Sequence, residues 1–182
     1  MTEARPLLRR EGHSRRGRAY LIRPTTTDDL HELVAIVDAA AAEGDLVAAI
    51  PGDRTVTEDS LMLSGLLAQG GLSLTLEVDG VVAGRVTIWR HRGRYDGHVG
   101  ELAIVIAAEC RDQGLGRALI EVAIDWGRAV GLRKISLGVF PSNSRAIAVY
   151  RAMGFVDEGL QRRQLRLGDV DHDVALMALL LD

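Results

Sequence analysis

The spacing of apolar residues changes period several times along the chain, and each change marks an element. Ala19–Arg23 predicts a short strand ended by Pro24. Thr26-Thr27-Asp28-Asp29 supplies a helix cap with acids in the first turn, and Leu30, Leu33, Val34, Val37 and Ala41 follow at helical spacing up to Gly44. Residues 45–56, with Pro51-Gly52, read as a loop, and Thr57-Glu58-Asp59-Ser60 opens a second helix that runs to about Ala68 before Gly70-Gly71. Leu72–Val78 and Val81–Trp89 flank Asp79-Gly80, a hairpin signal because both turn residues must reach positive φ. After the polar connection His91–Gly97, the stretch His98–Ile106 is a continuous apolar strand carrying one acid, Glu101.

The second half alternates strand and helix. Leu115, Ala118, Leu119, Val122, Trp126, Ala129 and Val130 mark one face of a helix stopped by Gly131. Lys134–Phe140 is a strand, Pro141-Ser142-Asn143 a turn, and Ser144–Met153 a helix ended by Gly154. Leu160–Leu167 and Asp173–Leu180 close the chain as a hairpin around Gly168-Asp169. The order β-α-α-β-β-β-α-β-α-β-β predicts an α/β chain of the α+β type, a mixed sheet with helices on its faces.

Length bounds this to one domain: 182 residues suffice for a self-supporting core, and the composition, 47% hydrophobic and 26% charged, is ordinary for a globular chain. A single cysteine, Cys110, excludes a disulfide framework and suits a reducing compartment such as the cytoplasm. No apolar run reaches the roughly 18 residues of a membrane span. The net charge of −3 is unevenly spread. Residues 1–18 hold six arginines against Glu3 and Glu11, a net +4, so the other 164 residues carry −7. Lacking apolar periodicity, residues 1–18 read as a flexible basic arm outside a domain of residues 19–182. The domain has no basic patch, which argues against nucleic acid as a partner. The scattered histidines show no metal-ligand spacing.

The segment Arg111–Arg117 carries the clearest chemistry. It places Gly114 and Gly116 where a strand hands over to a helix, and the first helical turn there has N–H groups without intrahelical partners at the positive end of the dipole. Glycines let an anion approach, and Arg111 and Arg117 add positive charge, so the turn is built to seat phosphate. It is neither a Walker loop nor the three-glycine dinucleotide turn. About thirty residues on, Asn143, Ala146, Tyr150 and Gly154-Phe155 form N-x-x-A-x-x-x-Y-x-x-x-G-F. With the strand–R-D-Q-G-L-G–helix segment, this resembles the GNAT superfamily of N-acetyltransferases from about residue 20 to 182.

The resemblance implies a mostly antiparallel sheet with a splayed central parallel pair, His98–Ile106 beside Lys134–Phe140, and acetyl-CoA as acyl donor in the wedge. The pantetheine arm is then expected on the backbone of Ile104, Val105 and Ile106, and the pyrophosphate on the amides of Arg111, Asp112, Gln113, Gly114, Leu115 and Gly116, with Arg117 beside them. Asn143 is expected on the cofactor arm and Tyr150 at the thioester sulfur. Two departures stand out. Asp112 places a carboxylate where phosphate is expected, and it must point away or pair with Arg111 or Arg117. Relatives that acetylate ribosomal protein N-termini carry a glutamate where this chain has Gly138.

The expected activity is acetyl transfer to the primary amine of a small molecule by direct attack in a ternary complex. Protein or peptide N-acetylation and a non-catalytic acyl-CoA-binding module are the alternatives. An ammonium with pKa near 10 must lose its proton before attack, and Glu101 is the candidate base, as the one acid in an otherwise apolar strand where burial would demand a partner or a task. Tyr150 is the candidate donor to the leaving thiolate. His91 and His98 are minor candidates for proton uptake. Cys110 has no base beside it in sequence and is not read as a nucleophile. Arg162 and Asp173 either line the acceptor pocket or are hairpin surface. Exposed strand edges would permit a homodimer.

Overall fold

The computed structural model of the chain describes residues 8–44 and 46–181. Eight strands form one sheet: β1 Arg10–His13, β2 Ala19–Pro24, β3 Leu72–Val78, β4 Val81–Arg90, β5 Val99–Ile106, β6 Lys134–Val139, β7 Val156–Leu167 and β8 Val170–Leu180. Their order is β1-β2-β3-β4-β5-β6-β8-β7. Every pairing is antiparallel except β5 with β6. The helices are α1 Leu30–Ala42, α2 Val56–Ala68, α3 Leu115–Ala129 and α4 Ser144–Ala152.

Strand alternation sends the two faces to different partners. On one, Leu72, Leu74, Leu76, Val86, Ile88, Leu102, Ile135 and Leu137 join Leu115, Leu119, Ile120 and Trp126 of α3 and Tyr150 of α4 in the main core. On the other, Ser73, Thr75, Arg85 and Thr87 lie buried under α1 and α2. These polar sheet positions are tied to the helices by ion pairs, beside an apolar cluster of Leu30, Leu33 and Leu63. Arg85 binds Asp59 of α2 through both terminal nitrogens, at 2.6 and 3.0 Å, with Asp59 fully buried. Arg23 does the same to Asp29 at 2.7 and 2.6 Å, and Thr75 adds a hydroxyl at 3.0 Å. The Asp79-Gly80 hairpin forms as the sequence predicts, with φ of 51° and 80°.

Several boundaries differ from expectation, most of them by one residue. Residues 10–18 are not an arm outside the fold. β1 pairs with β2 from Arg10↔Ile22 to His13↔Ala19, and Arg10 reaches Glu121 and Asp125 on α3 at 3.1 and 3.2 Å. The part of the expected arm before residue 8 lies outside the described residues. α2 starts at Val56 because Thr55 and Glu58 form a reciprocal cap: the Glu58 amide donates to Thr55 Oγ1 at 3.2 Å and the Thr55 amide to Glu58 Oε2 at 2.9 Å. Both strands of the closing hairpin start earlier than expected, at Val156 and Val170, and end where expected, at Leu167 and Leu180.

Candidate active site

Sheet pairing creates the site. β5 and β6 are in register only at Val99↔Lys134, Gly100↔Ile135 and Glu101↔Ser136. Past that point Leu102–Ile106 pairs only with β4, and Leu137–Val139 only with β8. Two facing strand edges therefore diverge from an apex at Glu101 and Ser136, where Ser136 Oγ donates to the Gly100 carbonyl at 3.3 Å. Such edges present backbone N–H and C=O groups to whatever fills the wedge. Ile104, Val105 and Ile106 lie on one of them, as expected. The Ile106 carbonyl already accepts from Arg111 Nε at 2.8 Å.

The glycine turn closes the wide end. Asp112 has φ 60° and Gly114 φ 82°, so the backbone reverses twice in three residues before α3 begins. The Ala118 amide is the one that bonds back to the Gly114 carbonyl, at 3.1 Å. The amides of Leu115, Gly116 and Arg117 precede that bond and have no partner inside the helix. α3 also has no side-chain cap and no acid in its first turn, whereas α1 and α2 both begin with acids. A β-carbon at Gly116 would stand 3.3 Å from Ile106 Cδ1, and at Gly114 it would be strained by the positive φ. These features suit an anion seated on the amides. Gln113 contributes only backbone to that surface. Its side chain is buried, donating to the Glu109 carbonyl at 2.7 Å and accepting from Ser14 Oγ at 3.2 Å.

The charges around the turn are arranged differently from the sequence expectation. Arg111 is held by Glu43 through two bonds of 2.6 and 2.8 Å, and this guanidinium keeps the Glu43 carboxyl below its ordinary pKa. Arg117 pairs with Glu121 at 2.9 Å. Asp112 pairs with neither: its carboxylate meets Arg145, in the first turn of α4, at 2.9 Å. Arg145 was not singled out from sequence, because nothing local links positions 33 residues apart. Its place two residues after Asn143 is the only hint.

Asn143 is the N-cap of α4, its Oδ1 accepting from the Ala146 amide at 3.1 Å, so the amide nitrogen is the part left to face a ligand. Tyr150 is buried against Phe155, ring centroids 5.7 Å apart, and burial pushes its phenol up to about 12. Glu101 corrects a premise: it is exposed, not buried. It sits beside Ser136 at the apex and opposite Trp89 on β4, on the sheet face away from α3. Its claim to act as base therefore rests on position alone.

The remaining candidates lie elsewhere. His91 Nδ1 is 3.1 Å from Asp96 in the 91–97 connection, and His98 is exposed one residue before β5. Asp173 accepts the Arg163 amide at 2.8 Å, fixing a bulge in the hairpin, and Arg162 is exposed on β7. Cys110 is buried, which raises its thiol pKa. Among the described residues no cluster of His, Cys, Asp and Glu is placed to hold a metal, and no helix is long and apolar enough to cross a membrane.

The sequence pattern described as "Acetyltransferase (GNAT) family" matches residues 43–155. Among curated proteins, 76 residues are 37% identical to the ribosomal protein bS18-alanine N-acetyltransferase of Escherichia coli, 42% of this chain and 51% of that one. A spermidine N(1)-acetyltransferase of Vibrio cholerae is 35% identical over 81 residues, 44% and 47% of the two chains. The match spans about half the length of these relatives. Among solved structures, a GNAT-family acetyltransferase from Streptococcus pneumoniae superposes with TM-score 0.79 at 31% identity, covering 89% of this chain and 99% of that one. A phosphinothricin acetyltransferase from Sinorhizobium meliloti, solved with acetyl-CoA, gives 0.78 at 23% identity over 88% and 87%.

Proposed function

The chain belongs to the GNAT acetyltransferase family, and on that premise we propose that it transfers the acetyl group of acetyl-CoA to the primary amine of a small molecule, by direct attack in a ternary complex. The observation that carries this is the open wedge between β5 and β6, ending on an uncapped helix N-terminus. A thioester arm fits between the diverging edges, and phosphates fit on the amides of the glycine turn. Asp112 does not spoil that seat, because Arg145 neutralises it.

When bound, acetyl-CoA supplies the activated acetyl group; the protein's part is positioning and proton movement. Glu101, at the apex and open to water, takes the ammonium proton directly or through a water. An N–H on the unpaired edge of β5 donates to the carbonyl oxygen as charge builds there. Tyr150 donates a hydrogen bond to the departing sulfur. Two observations favour a small acceptor. The spermidine and L-amino acid acetyltransferases among the relatives are named for small amines. Gly138 stands where the glutamate expected of N-terminal acetylation would be, and a β-carbon there would press on Val174 Cγ1 at 2.8 Å. The likeness to the bS18-alanine enzyme favours a second reading, an N-terminal peptide as acceptor. We take the setting to be the cytoplasm, where the Cys110 thiol stays reduced.

The test begins with calorimetric titration of the protein with acetyl-CoA, beside Asn143→Ala. Micromolar binding weakened by the substitution supports the site, and thiol release is then followed with small amines against N-terminal peptides. Turnover with the amines alone supports the proposal. Turnover with peptides alone transfers it to the second reading, and binding without any turnover leaves a non-catalytic module. A folded protein that does not bind acetyl-CoA refutes the site.

A further inference from the structure

The turn between β1 and β2 is organised by Ser14. Its carbonyl accepts from the Gly17 amide at 2.8 Å, and its hydroxyl oxygen accepts from the Arg16 and Arg18 amides at 3.3 and 3.2 Å. The same hydroxyl donates to Gln113 Oε1 at 3.2 Å, and the Arg15 amide donates to the Gln113 carbonyl at 2.9 Å. Ser14 and Gln113 are both buried. The turn is thus fixed to the residue immediately before Gly114 by a backbone bond and a side-chain bond.

This attachment brings Arg15 over the glycine turn. A β-carbon built on Gly114 would lie 3.4 Å from Arg15 Nε, 3.5 Å from its Cγ and 3.7 Å from its Cδ. Arg15 is exposed. The other arginines beside the turn are already matched: Arg111 by Glu43, Arg117 by Glu121 and Arg145 by Asp112. Arg15 has no carboxylate partner among the described residues. It is a cation held next to three unpartnered amides and left free to take an anion.

We propose that Arg15 is a phosphate-binding residue of the acetyl-CoA site, reaching across Gly114 to oxygens seated on the first turn of α3. The proposal rests on the reading of the glycine turn as that site. A guanidinium suits the role, since its planar fork donates two bonds to one phosphate. It also assigns a use to β1, which carries the turn that presents Arg15.

The experiment titrates the full chain, Arg15→Gln and Arg15→Lys with CoA by calorimetry, and follows thermal unfolding of each. Arg15→Gln is expected to bind CoA roughly ten- to hundredfold more weakly, the range of a charge-assisted hydrogen bond to phosphate. Its melting temperature should stay within about a degree, because the side chain is exposed, and Arg15→Lys should recover part of the affinity. S-acetyl-pantetheine, which has no phosphate, should be used equally well by wild type and Arg15→Gln. Wild-type affinity within twofold in Arg15→Gln overturns the proposal and leaves the site intact. A loss of affinity matched by a loss of melting temperature, and not recovered by lysine, overturns it in favour of a purely structural turn. Failure of the wild type to bind CoA overturns the site, and Arg15 with it.

Discussion

Replacing Tyr150 by phenylalanine separates two ways of serving a leaving thiolate. Burial carries the phenol up to about 12, against about 8.5 for a thiol. Handing over the proton outright is then uphill by about 3.5 pK units, or about 5 kcal/mol. A retained hydrogen bond to the developing anion is worth about 1.5–3 kcal/mol. Tyr150→Phe should therefore lower kcat roughly ten- to hundredfold at saturating acetyl-CoA, measured by thiol release, with KM for acetyl-CoA nearly unchanged. The kcat profile should show no break from this residue below about pH 10. A loss beyond about ten-thousandfold, or an alkaline limb below pH 10 that the phenylalanine variant lacks, would show full proton transfer and refute the argument. The same variant reads the pKa in stability. The folded value lies above the unfolded one, so the tyrosine's contribution is intact below about pH 10 and is lost as pH rises toward 12, by about 1.4 kcal/mol per unit. Urea unfolding at pH 8 and pH 11 should show a larger decline for wild type than for Tyr150→Phe.

Asp59→Ala should cost about 3–5 kcal/mol, because it leaves the buried guanidinium of Arg85 without its partner. For a chain of this size that is a fall of roughly 6–20 °C in melting temperature by calorimetry, and a change under about 1 kcal/mol would contradict the assignment. Arg145→Ala should weaken acetyl-CoA binding about three- to tenfold by unmasking Asp112, and adding Asp112→Asn should restore it. Independent, additive losses would show that the ion pair does not shield the phosphate seat. Glu101→Gln should reduce kcat by about a hundredfold or more while leaving acetyl-CoA affinity unchanged in calorimetry. A reduction under about threefold would assign proton removal to solvent.

What was legible in the sequence was whatever had a local signature. Period 3.6 gave the buried face of α3, and Asp79-Gly80 gave the hairpin of β3 and β4. The glycine turn and the Asn143 cap were readable because each is a short motif with its own backbone requirement. The errors came from interactions at a distance. Arg10–His13 has no fully buried residue, so its membership of the sheet depends on pairing with β2 and on ion pairs to α3, 111 and 115 residues away. Glu101 was expected to be buried because its neighbours are apolar. Strand alternation instead turns it, with Ala103, to the exposed face, while Gly100 and Leu102 are buried on the other. Asp112 and Arg145 meet because they follow the C-terminal ends of two parallel neighbouring strands, β5 and β6.

The order of strands has a consequence for how the chain is made. From β1 to β6, each strand lies beside the one synthesised just before it. A chain leaving the ribosome from its N-terminus can add these strands one at a time to a growing edge. Only the last pair breaks the sequence, with β8 inserted between β6 and β7. β6 must therefore wait for residues 170–180 to complete its second edge. The first wall of the wedge is available once β5 has emerged, and the second is secured only once residues 170–180 have followed. A chain stopped before β8 would hold every residue assigned to the phosphate seat and still lack the strand that keeps β6 in place.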